Sequence, residues 1–112
     1  MTKITFECSG GMLLRSLNLT LYLDLMPPRD ALNLIWMIQR ANFFSLPRNL
    51  IKHPEPEKIL YSITVEDENQ RHKVLANENS TPSALWPLIN ELSARLDTQS
   101  QLSIWMVDLF TK

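Results

Sequence analysis

The side chains able to do chemistry are few and badly spaced for it. His53, His72 and Cys8 are the soft or borderline metal donors, accompanied by scattered carboxylates. They form no H-E-x-x-H, no C-x-x-C and no pair of histidines one helical turn apart, so a zinc site is not expected. Cys8 alternates with Ile4 and Phe6, which puts it on the apolar side of a strand, where a thiol is inert. Ser9 stands before Gly10 and Gly11, but the G-x-S-x-G nucleophile elbow is missing, and Ser-Gly-Gly alone reads as a turn. A phosphate loop needs several glycines at fixed spacing, and the chain has two, adjacent to one another. Glu66, Asp67 and Glu68 lie together, yet Asp67-Glu68-Asn69-Gln70 reads as the polar tip of a hairpin rather than a general acid and base. No catalytic residue, metal or cofactor is expected, and the chain reads as a protein that is not an enzyme.

Composition narrows the class further. A length of 112 residues accommodates one domain. Eleven Lys+Arg against twelve Asp+Glu give a net charge of -1, without the basic excess of a nucleic-acid binder. Apolar residues at 45% and charged residues at 21% suit a globular chain rather than a disordered one. No apolar run approaches the roughly 20 residues that span a bilayer, so no membrane contact is expected. The first residues show no hydrophobic leader and the single Cys8 needs no oxidising compartment, so the expected location is cytoplasmic.

The elements follow from periodicity. Ile4, Phe6 and Cys8 alternate with Lys3, Thr5 and Glu7, a half-buried strand that Ser9-Gly10-Gly11 should break. Leu17, Leu19, Leu21 and Leu23 then face one way against Asn18, Thr20 and Tyr22, a second strand in an antiparallel hairpin with the first. After Pro27-Pro28, a helical period over Arg29 to Asn42 groups Ala31, Leu34, Ile35, Ile38 and Ala41 on one face. Phe43-Phe44-Ser45-Leu46-Pro47 stops that helix, with Phe43 and Phe44 expected in the core, and Arg48 to Lys58 is a loop. Ile59, Tyr61, Ile63 and Val65 make a third strand. His72, Val74 and Ala76 make a fourth, on which Arg71 and His72 are expected to be exposed. Thr81 as N-cap and Pro82 at the first helical position open a second helix with Leu85, Leu88, Ile89, Leu92 and Leu96 inward. The expected architecture is α+β, order ββαββα. It is one antiparallel sheet of four strands with both helices on its apolar face, and a fifth strand is open to the apolar C-terminal segment. Residues 1–96 form the domain and residues 97–112 an apolar extension.

Taken together, several stretches resemble the emfourin family. They are Ile4-Thr5-Phe6-Glu7, Ser9-Gly10-Gly11, Leu25-Met26-Pro27-Pro28, Ala41-Asn42-Phe43-Phe44-Ser45-Leu46-Pro47, Tyr61-Ser62-Ile63-Thr64-Val65-Glu66-Asp67, Arg71-His72-Lys73-Val74 and Pro82-Ser83-Ala84-Leu85-Trp86-Pro87-Leu88-Ile89. The resemblance runs from Ile4 to Leu96. It implies a bacterial protein that inhibits thermolysin-like zinc metallopeptidases such as protealysin, and therefore a thermolysin-like metallopeptidase as partner. Such an inhibitor presents a large apolar side chain on a stiff loop to the pocket beside the zinc. Two loops meet that need: Ser9, Gly10, Gly11, Met12 and Leu13, between paired strands, and the Leu46 to Pro56 loop with Leu50, stiffened by prolines. A different class is a protein-interaction module with no protease target, forming homodimers through its C-terminal segment, where Leu102 to Phe110 is strongly apolar.

Overall fold

A computed structural model describes residues 1–11, 13 and 16–96. Among them the sheet has four strands: β1 (Lys3–Gly10), β2 (Leu17–Tyr22), β3 (Ile59–Glu66) and β4 (Arg71–Asn77). Their order is β2-β1-β3-β4 and every neighbouring pair is antiparallel. Helix α1 (Pro28–Arg40) follows β2, and a second helix, α2, covers residues 86–96. This is the α+β order ββαββα. The apolar extension, open to a fifth strand or an added helix, falls on residues 97–112, outside the described residues.

Because side chains alternate across a strand, the pairing register decides what the sheet buries. Phe6 stands opposite Leu19 on one side and Ile63 on the other, and Ile63 opposite Val74. All four are buried, while Asn18 is exposed, so the register is the one the leucine alternation implies. Rungs of Leu21, Ile4, Val65 and His72, and of Leu17, Cys8, Tyr61 and Ala76, flank that row. Leu34 and Ile38 of α1 and Leu88, Ile89, Leu92 and Leu96 of α2 join the same cluster, so both helices cover this one face. The Tyr61 ring stacks on Phe6 at 6.1 Å and meets the edge of Trp86 at 6.0 Å, fixing the start of α2 against the sheet.

The structure corrects several boundaries. β1 does not break at Ser9: Ser9 and Gly10 stay in the strand, opposite Leu60 and Ile59, and the turn begins at Gly11. Leu23 is not in β2. It opens a 3-10 turn, Leu23–Leu25, buried there with its N–H donating to the Thr2 carbonyl at 2.9 Å. α1 ends at Arg40, two residues early, because Asn42 is left-handed at φ 51° and cannot continue a helix. Thr81 is not an N-cap: its hydroxyl donates to the Asn77 carbonyl at 2.7 Å, and the next helical residues, Ser83–Leu85, form a 3-10 turn before α2. His72 is half-buried rather than exposed. Its even position shares the inner face with Val74, so the 3-10 turn Phe43–Ser45 packs over it, with Phe43 edge-on at 5.7 Å. Its Nε2 lies 2.7 Å from the Leu46 carbonyl and therefore carries the proton. Phe43 is buried in the core as expected, whereas Phe44 packs half-buried against it.

Leu19→Ala should cost about 2–5 kcal/mol in chemical denaturation, since it empties the central rung. Asn18→Ala, one position along on the exposed face, should stay within about 0.5 kcal/mol of the parent.

Candidate functional site

Three connections meet at one end of the sheet, where β1 and β4 finish and β3 starts. In the first, Gly10 and Gly11 both take left-handed backbone, φ 77° and 59°, a region in which an L side chain is strained. Space is tight for a side chain as well. A Cβ on Gly10 would stand 3.2 Å from the Lys58 carbonyl oxygen; one on Gly11 would stand 3.2 Å from Ile59 Cγ1 and 3.3 Å from the Glu57 carbonyl oxygen. This close approach lets the Gly11 N–H donate to the Pro56 carbonyl at 3.1 Å, while the Leu13 N–H donates to the Gly10 carbonyl at 3.1 Å.

The second connection, between α1 and β3, is anchored at both ends. Arg48 and Leu50 bracket Leu75 on the outer edge of β4: the Leu75 N–H donates to the Arg48 carbonyl and the Leu50 N–H to the Leu75 carbonyl, each at 2.8 Å. Asn49 Oδ1 accepts the Ile51 N–H at 2.9 Å, and the Glu55 carbonyl accepts the Lys58 N–H at 3.0 Å. The segment therefore covers part of an edge that would otherwise be open to another strand.

The third connection, after β4, is organised by Asn77, which is buried at 5% exposure. Its side-chain oxygen accepts the Asn79 N–H at 3.0 Å, its own N–H donates to Ser80 Oγ at 3.0 Å, and its carbonyl accepts the Ser80 N–H and the Thr81 hydroxyl. Glu78 accepts the N–H of Ile59, the first residue of β3, at 3.0 Å, and the Asn79 amide donates to the Glu55 carboxylate. A groove of about 440 Å³ lies between the second and third connections, lined by Leu50, His53, Glu55, Asn79 and Pro82 among others. Burial pushes the Tyr61 phenol above its ordinary value, and the Glu78 carboxylate adds to the rise.

The two loops that the sequence offers as rivals are thus neighbours, joined through Gly11 and Pro56. Of the candidate contact residues, Ser9 and Gly10 end β1 and Gly11 starts the turn. Leu13 and Leu50 are partly buried against the hydrophobic cluster, and Met12 lies outside the described residues. Asn77, at the end of β4, and Glu78 organise the rim, and no pattern of residue types in the sequence marks them for that role. Among the described residues, no three His, Cys, Asp or Glu side chains gather where they would hold a metal ion. Cys8 is buried beneath the sheet and His53 is exposed on the second connection.

An α+β domain whose loops are cross-braced at one end of its sheet is suited to presenting a stiff surface. Residues 6–93 match the model of the Emfourin family, and the chain belongs to that family. Among solved structures it is similar to emfourin (M4in) from Serratia proteamaculans, described as an M4 family peptidase inhibitor. The identity is 16%, the TM-score is 0.45, and the similarity covers 78% of this chain and 84% of that one. A comparison with curated proteins gives no match.

Gly11→Ala should cost about 1–2 kcal/mol from backbone strain alone, read as a lower urea midpoint. Tyr61 has its folded pKa raised above that of the unfolded chain. Its contribution is full below pH 10 and is lost as pH rises through the folded value. Stability measured from pH 8 to 11 should therefore fall less steeply in Tyr61→Phe than in the parent.

Proposed function

We propose that this chain is a proteinaceous inhibitor of thermolysin-like zinc metallopeptidases, acting by lodging the loop that begins at Ser9-Gly10-Gly11 in the active-site cleft. Membership of the emfourin family, over residues 6–93, is the observation that carries the reading. It is supported by loops braced to one another at one end of the sheet, since an inhibitor of this kind needs shape and stiffness. Ordering a loop on binding costs about 0.5–1.5 kcal/mol per immobilised side chain. A loop already tied at Gly11 to Pro56 avoids part of that loss.

Met12 is proposed as the apolar group that enters the pocket beside the zinc. It directly follows the two glycines, and Leu13, the next apolar residue, already packs against the domain's own core. Leu13 and Leu50 then support the loops from beneath rather than touching the protease first. A buried anchor is often worth about 2 kcal/mol or more, roughly thirtyfold in affinity, and a carboxylate in its place would lose its hydration.

The test is titration of the purified protein into a thermolysin-like peptidase cleaving a peptide substrate, with zinc added in excess to exclude chelation. Activity should fall in proportion to added protein. Met12→Asp should raise the inhibition constant at least about thirtyfold with an unchanged melting temperature, whereas Leu13→Asp should lower the melting temperature. Full peptidase activity in the presence of excess folded protein would remove the inhibitor reading. Normal inhibition by Met12→Asp, with loss of inhibition in His53→Asp, would move the contact to the second connection.

A further inference from the structure

The outer face of α1 is poorly explained by a domain standing alone. Leu32 and Trp36, one turn apart, are 65% and 57% exposed, and Leu25 in the turn before the helix is 80% exposed. Spacing along α1 extends the stripe to Arg29 and Arg40, both exposed, and the Arg40 guanidinium stands 5.0 Å from the centre of the Trp36 ring. Two large apolar side chains exposed one turn apart and edged by cations suit a surface that a further segment covers.

We infer that the occupant is this chain's own C-terminal segment, residues 102–110. Three observations select it, none of which depends on the inhibitory reading. The first is position. Arg95 lies 3.9 Å from Asp30 in the first turn of α1, so the described chain ends beside the helix that carries the stripe. The second is reach. Residues 97–101 span up to about 17 Å when extended. The course around a helix about 10 Å across and along the axis from Asp30 to Trp36, about 9 Å, lies within the reach of that spacer and the segment behind it.

The third observation is complementarity. Leu102, Ile104, Trp105, Met106, Val107, Leu109 and Phe110 supply apolar surface, and the charges between Arg95 and Lys112 are Asp97 and Asp108, both acidic, against a stripe edged by Arg29 and Arg40. A second copy fits less well. Antiparallel pairing of two α1 stripes sets Arg29 against Arg40, and parallel pairing sets Arg40 against Arg40. Like charges meet in both arrangements.

The test uses the full chain labelled with 5-fluorotryptophan, which gives three fluorine signals, Trp36, Trp86 and Trp105, assigned by single Trp→Phe variants. Trp36→Ala, at an exposed helix position, should move the Trp105 signal toward that of free fluorotryptophan and enlarge its H2O/D2O shift. Reciprocally, Ile104→Asp combined with Leu109→Asp should do the same to Trp36, with Trp86, half-buried against Tyr61, unmoved in both variants. A Trp105 signal that ignores Trp36→Ala overturns the inference, and that arm decides the matter even if the tail variant disturbs folding. Coupling that disappears on dilution while the particle mass halves also overturns it, since the occupant would then be a second copy.

Discussion

Everything in this domain hangs on the central strand β1, which is hydrogen-bonded along both edges, to β2 on one side and β3 on the other. A one-residue slip on either side would turn Ile4 or Phe6 against a polar row, because side-chain direction alternates strictly along a strand. With the register held, three parallel rungs run across the sheet, and both helices have one place to put their apolar faces. The opposite face carries Thr5, Glu7, Asn18, Thr20 and Ser62, which are exposed or half-buried, and Thr64, which is buried. A small domain cannot afford two buried faces, and this one covers a single side.

The same strand also sets the position of the braced end. β1 runs further than its neighbour β2 requires, through Ser9 and Gly10, and by doing so lies against the first residues of β3. The second connection must therefore pass close to the turn after β1, and left-handed glycines let the two backbones approach. Asn77 completes the arrangement from the other side. A strand end leaves backbone groups without ladder partners, and burying them unsatisfied would be costly. One buried side-chain amide and the hydroxyls of Ser80 and Thr81 supply those partners locally.

Much of the fold was legible because the inward positions are uniformly apolar. Leu17-Leu19-Leu21 against Asn18-Thr20 admits one register, and Leu85, Leu88, Ile89, Leu92 and Leu96 admit one helix face. What periodicity could not show were the places where tertiary contacts override local signals. Ser9-Gly10 reads as a breaker but stays in the strand, since β3 supplies hydrogen-bond partners that the local sequence does not reveal. His72 looks polar and exposed by type, yet its even position on β4 commits it to the inner face, where the Leu46 carbonyl and two phenylalanine rings receive it. Of the site, the turn glycines and the proline-rich loop could be named from sequence. Their adjacency could not, because it arises from strand pairing between residues about fifty positions apart.

The bracing also bears on how such a surface can change. The bonds that stiffen the rim are those that close the sheet: Gly11 bonds to Pro56 just beyond the β1–β3 ladder, Glu78 caps the first amide of β3, and Arg48 and Leu50 bracket β4. Substituting those residues alters the stability of the sheet and the stiffness of the rim together. Side chains that project from the braced backbone without taking part in it carry no such coupling. His53 and Pro54 are exposed positions of this kind on the second connection. Under the proposed inhibitory reading, outward positions of the rim are free to vary while Gly10, Gly11 and Asn77 are held by backbone geometry and hydrogen bonding.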